Sequence, residues 1–203
     1  DWTLSRGLGD VYKRQLKSEN DLIGRYRSMS LYPEVDLAID DITTEAIVQG
    51  QDRTIVSTNL DKVSMPVSIK NKIKDEFDNI LKLLKFNNKS YEIFRRWYID
   101  SKIYYHVITD EKAKNKGIIE LRAIDPIKIK KIRNIQKKQQ NINGTQVAIV
   151  NKVDEFYLYT NLDKQSSFQT AQSGLKIAPD SICYVHSGII DSGTKRVVGY
   201  LQK

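Results

Sequence analysis

Hydrophobic residues recur along this chain with two periods. Through roughly the first half they follow helical spacing, and through the second they alternate as in strands. Between Leu16 and Met29, the residues Leu22, Ile23 and Tyr26 mark the apolar side of a short amphipathic helix. In "YPEVDLAIDDITTEAIV" (32–48), Pro33 suits a first helical position, because its missing N–H would have had no intrahelical partner. Val35, Ile39, Ile42 and Ala46 follow at steps of four, three and four, which predicts the buried stripe of that helix. "RTIVSTNL" (53–60) reads as a strand. Pro66 and Ser68 open another helix, with Ile69, Ile73, Phe77, Ile80, Leu81 and Leu84 on one side, and "NNKS" (87–90) is expected to break it. A last helix runs from Tyr91 to about Lys102, and its Tyr91, Phe94, Trp97 and Tyr98 are expected in the core.

Strand patterns then take over. "KIYYHVIT" (102–109) and "GIIELRAID" (117–125) predict a hairpin. "IKIKKIRNI" (127–135) alternates until Lys130-Lys131, where the phase slips by one, as at a bulge or strand end. Asn143-Gly144 is a hairpin-turn signal leading into "TQVAIV". Strands over 154–160 and 181–191 flank a polar loop, 161–174. The fold class is α+β: N-terminal helices packed with a mainly antiparallel β-sheet.

Composition narrows the classes. The chain has 203 residues, 40% hydrophobic and 29% charged, which is ordinary globular material. Its apolar runs fall short of the roughly 18–20 residues that span a bilayer. One cysteine, Cys183, closes no intrachain disulfide and suits a reducing compartment. Residues 1–15, "DWTLSRGLGDVYKRQ", stand apart. Gly7 and Gly9 hint at a phosphate loop, but no strand precedes them and no GK[ST] follows. The run "RGLGDVYKRQ" is similar to translated sequencing-adaptor sequence, so 1–15 is expected to be non-native and is set aside.

Charge is spread unevenly. The net charge is +8, yet residues 32–48 hold five acids and no base. Residues 110–140 hold ten Lys/Arg against four acids, a net +6. Within the acidic helix, Asp36/Asp40 and Asp41/Glu45 are like-charged i,i+4 pairs, each costing a few tenths of a kcal/mol. A positive partner would offset that cost. Asp36, Asp40, Asp41 and Glu45 are therefore expected to face a basic surface, such as Lys128, Lys130, Lys131 and Arg133 of the same or a neighbouring subunit; the rival is a merely solvated face.

Candidate chemistry is sparse. His106 and His186, the two histidines, lie in strand-like runs without metal-ligand spacing around them. No nucleophile elbow, P-loop or zinc motif occurs, so no catalytic residue, metal ligand or cofactor is assigned. A two-metal nuclease built on Asp36, Asp40, Asp41 and Glu45 would need ligands from more than one element. The alternative with more substance is a small basic nucleic-acid-binding module. Its phosphate contacts would be Lys128, Lys130, Lys131 and Arg133, with Tyr104, Tyr105, Tyr157 and Tyr159 for stacking.

Several segments in one order carry a resemblance. They are "RYRSMSLYPEVDLAIDDITTEAIV", "VSIKNKIKDEFDNILKLLKFNNKSYEIFRRWYIDSKIYYHVI", "IIELRAIDPIKIKKIR" and "SICYVHSGIID…VVGYLQK". Together, from about residue 20 to 203, they resemble the portal proteins of T-even-like contractile-tailed bacteriophages. The resemblance implies a non-enzymatic structural protein forming a dodecameric homo-oligomer at the unique portal vertex of the virion. It also implies assembly in the host cytoplasm, free or membrane-associated. The implied partners are major capsid and scaffold proteins, terminase, neck and tail proteins, and double-stranded DNA passing through an axial channel, with no small-molecule substrate. The implied roles are procapsid nucleation, genome packaging and ejection, and head–tail joining. Residues 16–190 would be the wing region and 191–203 the approach to the stem. Stem, clip and crown would follow, so no DNA or terminase contact is assigned here.

Overall fold

The computed structural model describes residues 19–50, 54–110, 112, 117–142, 145–160, 174–194 and 196–202, with the backbone alone for 134–142 and 145–152. Helices come first: α1 over residues 19–29, α2 Pro33–Ala46, α3 Val67–Leu84 and α4 Phe86–Asp100. Strands follow: β1 Lys102–Thr109, β2 Ile118–Ile124, β3 Ile129–Ile142, β4 Thr145–Tyr159, β5 Leu175–Ile177 and β6 Ile182–His186. They make two three-stranded antiparallel sheets, ordered β2-β1-β6 and β3-β4-β5. The chain is α+β, with its antiparallel pairing divided between two sheets.

The described residues form two core clusters. Tyr26, Ile39 and Ile99 join α1, α2 and α4, with Leu22, Val35, Tyr98 and Leu201 packed around them. Tyr104, Ile129, Tyr157 and Ile182 join the two sheets. The Tyr104 ring meets Tyr157 edge-on at 6.0 Å and stacks on Tyr184 at 4.7 Å. Burying side chains of this size stabilises by roughly 1.5–3 kcal/mol each. Ser101, 1% exposed and left-handed at φ 66°, turns α4 into β1 and so holds the two cores together. The C-terminal segment covers the helices: Tyr200 stacks on Tyr98 at 4.7 Å, and the Gly199 N–H donates to the Tyr26 hydroxyl at 3.2 Å.

Several expectations need correction. On α2 the inward residues are half-buried Val35 with buried Ile39 and Thr43, whereas Ile42 is 39% exposed and Ala46 is exposed. Thr43 tolerates burial because its hydroxyl donates to the Ile39 carbonyl at 2.7 Å. The expected 53–60 strand is not seen over 54–60, which enter no ladder and run beside α3 instead, and residue 53 lies outside the described residues. Alternation makes a strand only where a sheet edge is available to pair with it. The break before α4 falls at Lys85, left-handed at φ 51°, so "NNKS" lies inside α4. Tyr91 is 39% exposed and not in the core, because its hydroxyl is hydrogen-bonded to a surface carboxylate.

In the sheets, β3 passes through Lys130-Lys131 without a break, and its register shift comes at Gln136/Lys137. The segments "TQVAIV" and 154–160 are one strand, β4. Asn143-Gly144 lies outside the described residues, as does 161–173 of the expected loop, but Ile142 pairs with Thr145 on either side of the turn. The 181–191 strand shortens to β6, followed by an isolated Ile190–Val197 bridge.

Candidate interaction surfaces

The acidic helix has two charged faces. At about 100° per residue, Asp36 and Asp40 lie near the inward side and Glu34, Asp41 and Glu45 lie opposite. Inward, Arg95 of α4 donates from Nε to Asp40 Oδ1 at 3.1 Å and from Nη2 to Asp36 Oδ1. The Tyr91 hydroxyl donates to Asp40 Oδ1 at 2.7 Å. These bonds, Tyr91 first and then Arg95, hold the Asp40 carboxyl below its ordinary range; the same contact with Asp40 pushes the Tyr91 hydroxyl up. One guanidinium thus offsets the Asp36/Asp40 repulsion within the chain. Asp41 and Glu45 are exposed, with no partner among the described residues.

A second clamp ties helices to sheet. Arg27 of α1 donates to Asp100 at the end of α4, Nε–Oδ1 2.8 Å and Nη2–Oδ2 2.7 Å. It also donates to Asp125 after β2, Nη2–Oδ1 2.9 Å and Nη1–Oδ2 3.3 Å. The Asp100 side chain is 4% exposed. The Asp100 hydrogen bond chiefly drives the Arg27 pKa upward, against the cost of burial. Burial alone would push the Asp125 carboxyl up, but hydrogen bonds from Arg27 and the Ile127 amide hold it below its ordinary range.

The basic strand has partners of its own. Lys131 Nζ lies 2.9 Å from Glu155 Oε2, and Arg133 Nε lies 3.2 Å from Glu155 Oε1, across the β3–β4 ladder. The Lys131 hydrogen bond holds the Glu155 carboxyl below its ordinary range. Lys130 is half-buried, and burial lowers its pKa; Glu19, Arg196 and Lys102 are the charges around it. Lys128 sits in the β2–β3 turn, its amide donating to the Asp125 carbonyl at 2.9 Å. Within one chain, then, Asp36 and Asp40 meet Arg95, and Lys131 and Arg133 meet Glu155.

The other readings fare unequally. Tyr104 and Tyr157 are 5% and 4% exposed and pack on each other, so they offer no face to a nucleobase; Tyr105 and Tyr159 are half-buried. The four carboxylates of the imagined nuclease site diverge around α2. Among the described residues no helix is long and apolar enough to cross a membrane. His186 Nδ1 accepts the Gly188 amide at 3.0 Å.

Arg95, Glu155 and the Arg27 clamp were not singled out from the sequence, and Tyr91 was expected in the core rather than at this contact. One signal was present: Tyr91 and Arg95, at i,i+4, mirror the Asp36/Asp40 spacing on α2. Glu155 could be found only once the strand register was known.

Among the described residues, ion pairs lock the elements together beside charged faces that stay open. A sequence model of the family described as Bacteriophage T4-like portal protein (Gp20) matches residues 19–203. The chain belongs to the T4-like portal protein family. It is 38% identical over 190 residues to a portal protein of Vibrio phage KVP40, covering 90% of this chain and 36% of that protein. It is 30% identical over 184 residues to a portal protein of Salmonella phage ViI, covering 86% of this chain and 32% of that one. The chain therefore spans about a third of the length of these curated relatives.

Proposed function

We propose that this chain is the wing region, residues 16–190, of a structural portal protein, with 191–203 leading toward the stem. The family match across residues 19–203 carries the reading. As part of the whole protein it joins a dodecameric ring at one vertex of the phage head. The ring nucleates the procapsid against capsid and scaffold proteins, passes double-stranded DNA during packaging and ejection, and joins the neck and tail. ATP hydrolysis belongs to the terminase, and the portal itself performs no chemistry. The two clamps support a mechanical role. One ties α2 to α4, and the other ties α1 to the end of α4 and to Asp125 after β2, through charge-assisted hydrogen bonds, which are roughly twice as strong as neutral ones.

The test is a chimaera. Residues 19–203 replace the matching third of the KVP40 portal protein, and infected cells lacking the native portal are scored for DNA-filled heads. Filled heads are expected. A chimaera that folds, by circular dichroism and cooperative melting, but yields no portal-bearing heads overturns the reading.

A further inference from the structure

The outward face of α2 and a groove beside α3 match each other. The groove, about 630 Å³, lies between residues 54–58, the C-terminal half of α3 and the start of α4. Val56, Leu81 and Phe86 contribute its apolar surface, and Lys74, Lys82 and Lys85 against the single acid Asp78 its charge. These lysines are exposed and have no acidic partner among the described residues. The outward row of α2 is Glu34, Leu37, Asp41 and Glu45, all exposed, with Leu37 65% exposed.

The spacings agree. Glu34, Asp41 and Glu45 stand at offsets of 0, 7 and 11 residues, and Lys74, Lys82 and Lys85 at 0, 8 and 11. At about 1.5 Å per residue, both rows span about 16–17 Å. Laid parallel, Glu34 meets Lys74, Asp41 meets Lys82 and Glu45 meets Lys85. Asp78, the acid within the lysine row, then falls opposite Ala38, so no like charges collide. An antiparallel alignment gives lysine offsets of 0, 3 and 11 and loses the middle pair. Leu37 lies beside the first pair, within reach of the groove's apolar lining.

We infer that α2 of one copy docks in the α3 groove of a second copy, head to tail, through Glu34–Lys74, Asp41–Lys82 and Glu45–Lys85. The two patches differ, so the contact is heterologous, the kind that closes into a ring when the rotation permits. This inference rests on the portal reading and gives its ring a specific subunit contact. It also moves the intersubunit acids from Asp36 and Asp40, which Arg95 occupies, to the opposite side of α2.

The test uses two double variants of the 203-residue chain, Asp41→Lys/Glu45→Lys and Lys82→Glu/Lys85→Glu, studied by sedimentation velocity at low and high salt. All four positions are exposed, and circular dichroism checks that each variant folds. Wild type is expected to self-associate at low salt and weaken as salt rises. Each variant alone should associate at least about tenfold more weakly, since two exposed attractions become repulsions. An equimolar mixture should regain association, because each variant supplies the face that complements the other. Variants that associate like wild type, a mixture that stays monomeric, or a monomeric wild type would each overturn the contact. None of these outcomes bears on the chimaera, where the portal reading succeeds or fails separately.

Discussion

Replacing Arg27 by Met removes the clamp between helices and sheet while keeping most of the side chain's apolar stem. Asp100 would lose its guanidinium partner in a pocket where the side chain is 4% exposed. Breaking a fully buried pair by removing one partner costs about 3–5 kcal/mol. Arg27 is 36% exposed and Asp125 35%, so water screens part of that cost and the Asp125 contact adds little. The expected loss is about 2–3 kcal/mol at pH 7. In urea, with a slope near 2 kcal/mol per molar, the unfolding midpoint should fall by about 1 M. Far-ultraviolet dichroism and tryptophan fluorescence would follow it. If an uncompensated carboxylate is the cause, Asp100→Asn in the Arg27→Met background should restore part of the loss. The double variant should then be more stable than the two single losses predict, by 1 kcal/mol or more. Acid supplies a second check. The Asp125 carboxyl lies below its ordinary value in the fold, so its stabilisation is complete above about pH 4 and is lost as pH falls through the lower folded value. The gap between wild type and Arg27→Met should narrow below about pH 4. A loss under about 1 kcal/mol, or strictly additive single losses, would refute the clamp.

Three further outcomes follow from the geometry. Gly199→Ala would place a Cβ 3.0 Å from Tyr26 Cε2 and 3.2 Å from Ser101 Cβ, in the packed seam under the C-terminal segment; crowding there should cost about 1–3 kcal/mol by urea unfolding. Tyr91→Phe removes the hydroxyl donor to Asp40, so the Asp40 carboxyl should titrate closer to its ordinary value by carboxyl NMR, and the stability that the α2–α4 contact gives above about pH 4 should fade at higher pH than in wild type. Glu155→Gln leaves Lys131 and Arg133 without their shared carboxylate on an exposed ladder, and the resulting loss of stability by urea unfolding should be small and shrink in high salt.

Much of the fold was legible because period and punctuation are local properties. The α2 start at Pro33, the β1–β2 hairpin and the strands flanking Asn143-Gly144 all came from spacing within a few residues. The failures were matters of partnership. "RTIVSTNL" has the alternation of a strand, but alternation says nothing about whether an unpaired sheet edge is near. β3 absorbs the Lys130-Lys131 slip because β4 pairs with it continuously on both sides of that step. Lys85 ends α3 in a left-handed conformation that sequence reading reserves for glycine or asparagine.

The rotation of α2 about its axis shows how the same limit governs the candidate surface. Two stripes were available, Val35–Ile39–Ile42–Ala46 and Val35–Ile39–Thr43, and hydrophobicity alone favours the first. The fold uses the second. Asp36 and Asp40 lie on the Thr43 side of the helix, and with that side turned inward they reach Arg95. Thr43 can follow because it donates its hydroxyl to its own helix. The same roll turns Asp41 and Glu45 outward beside Leu37. A basic residue on α4 thus pairs with two of the acids of α2 inside the chain, while Asp41 and Glu45 stay on its outer side. The sequence displays both sets of acids with equal prominence, so only the three-dimensional pairing could separate them.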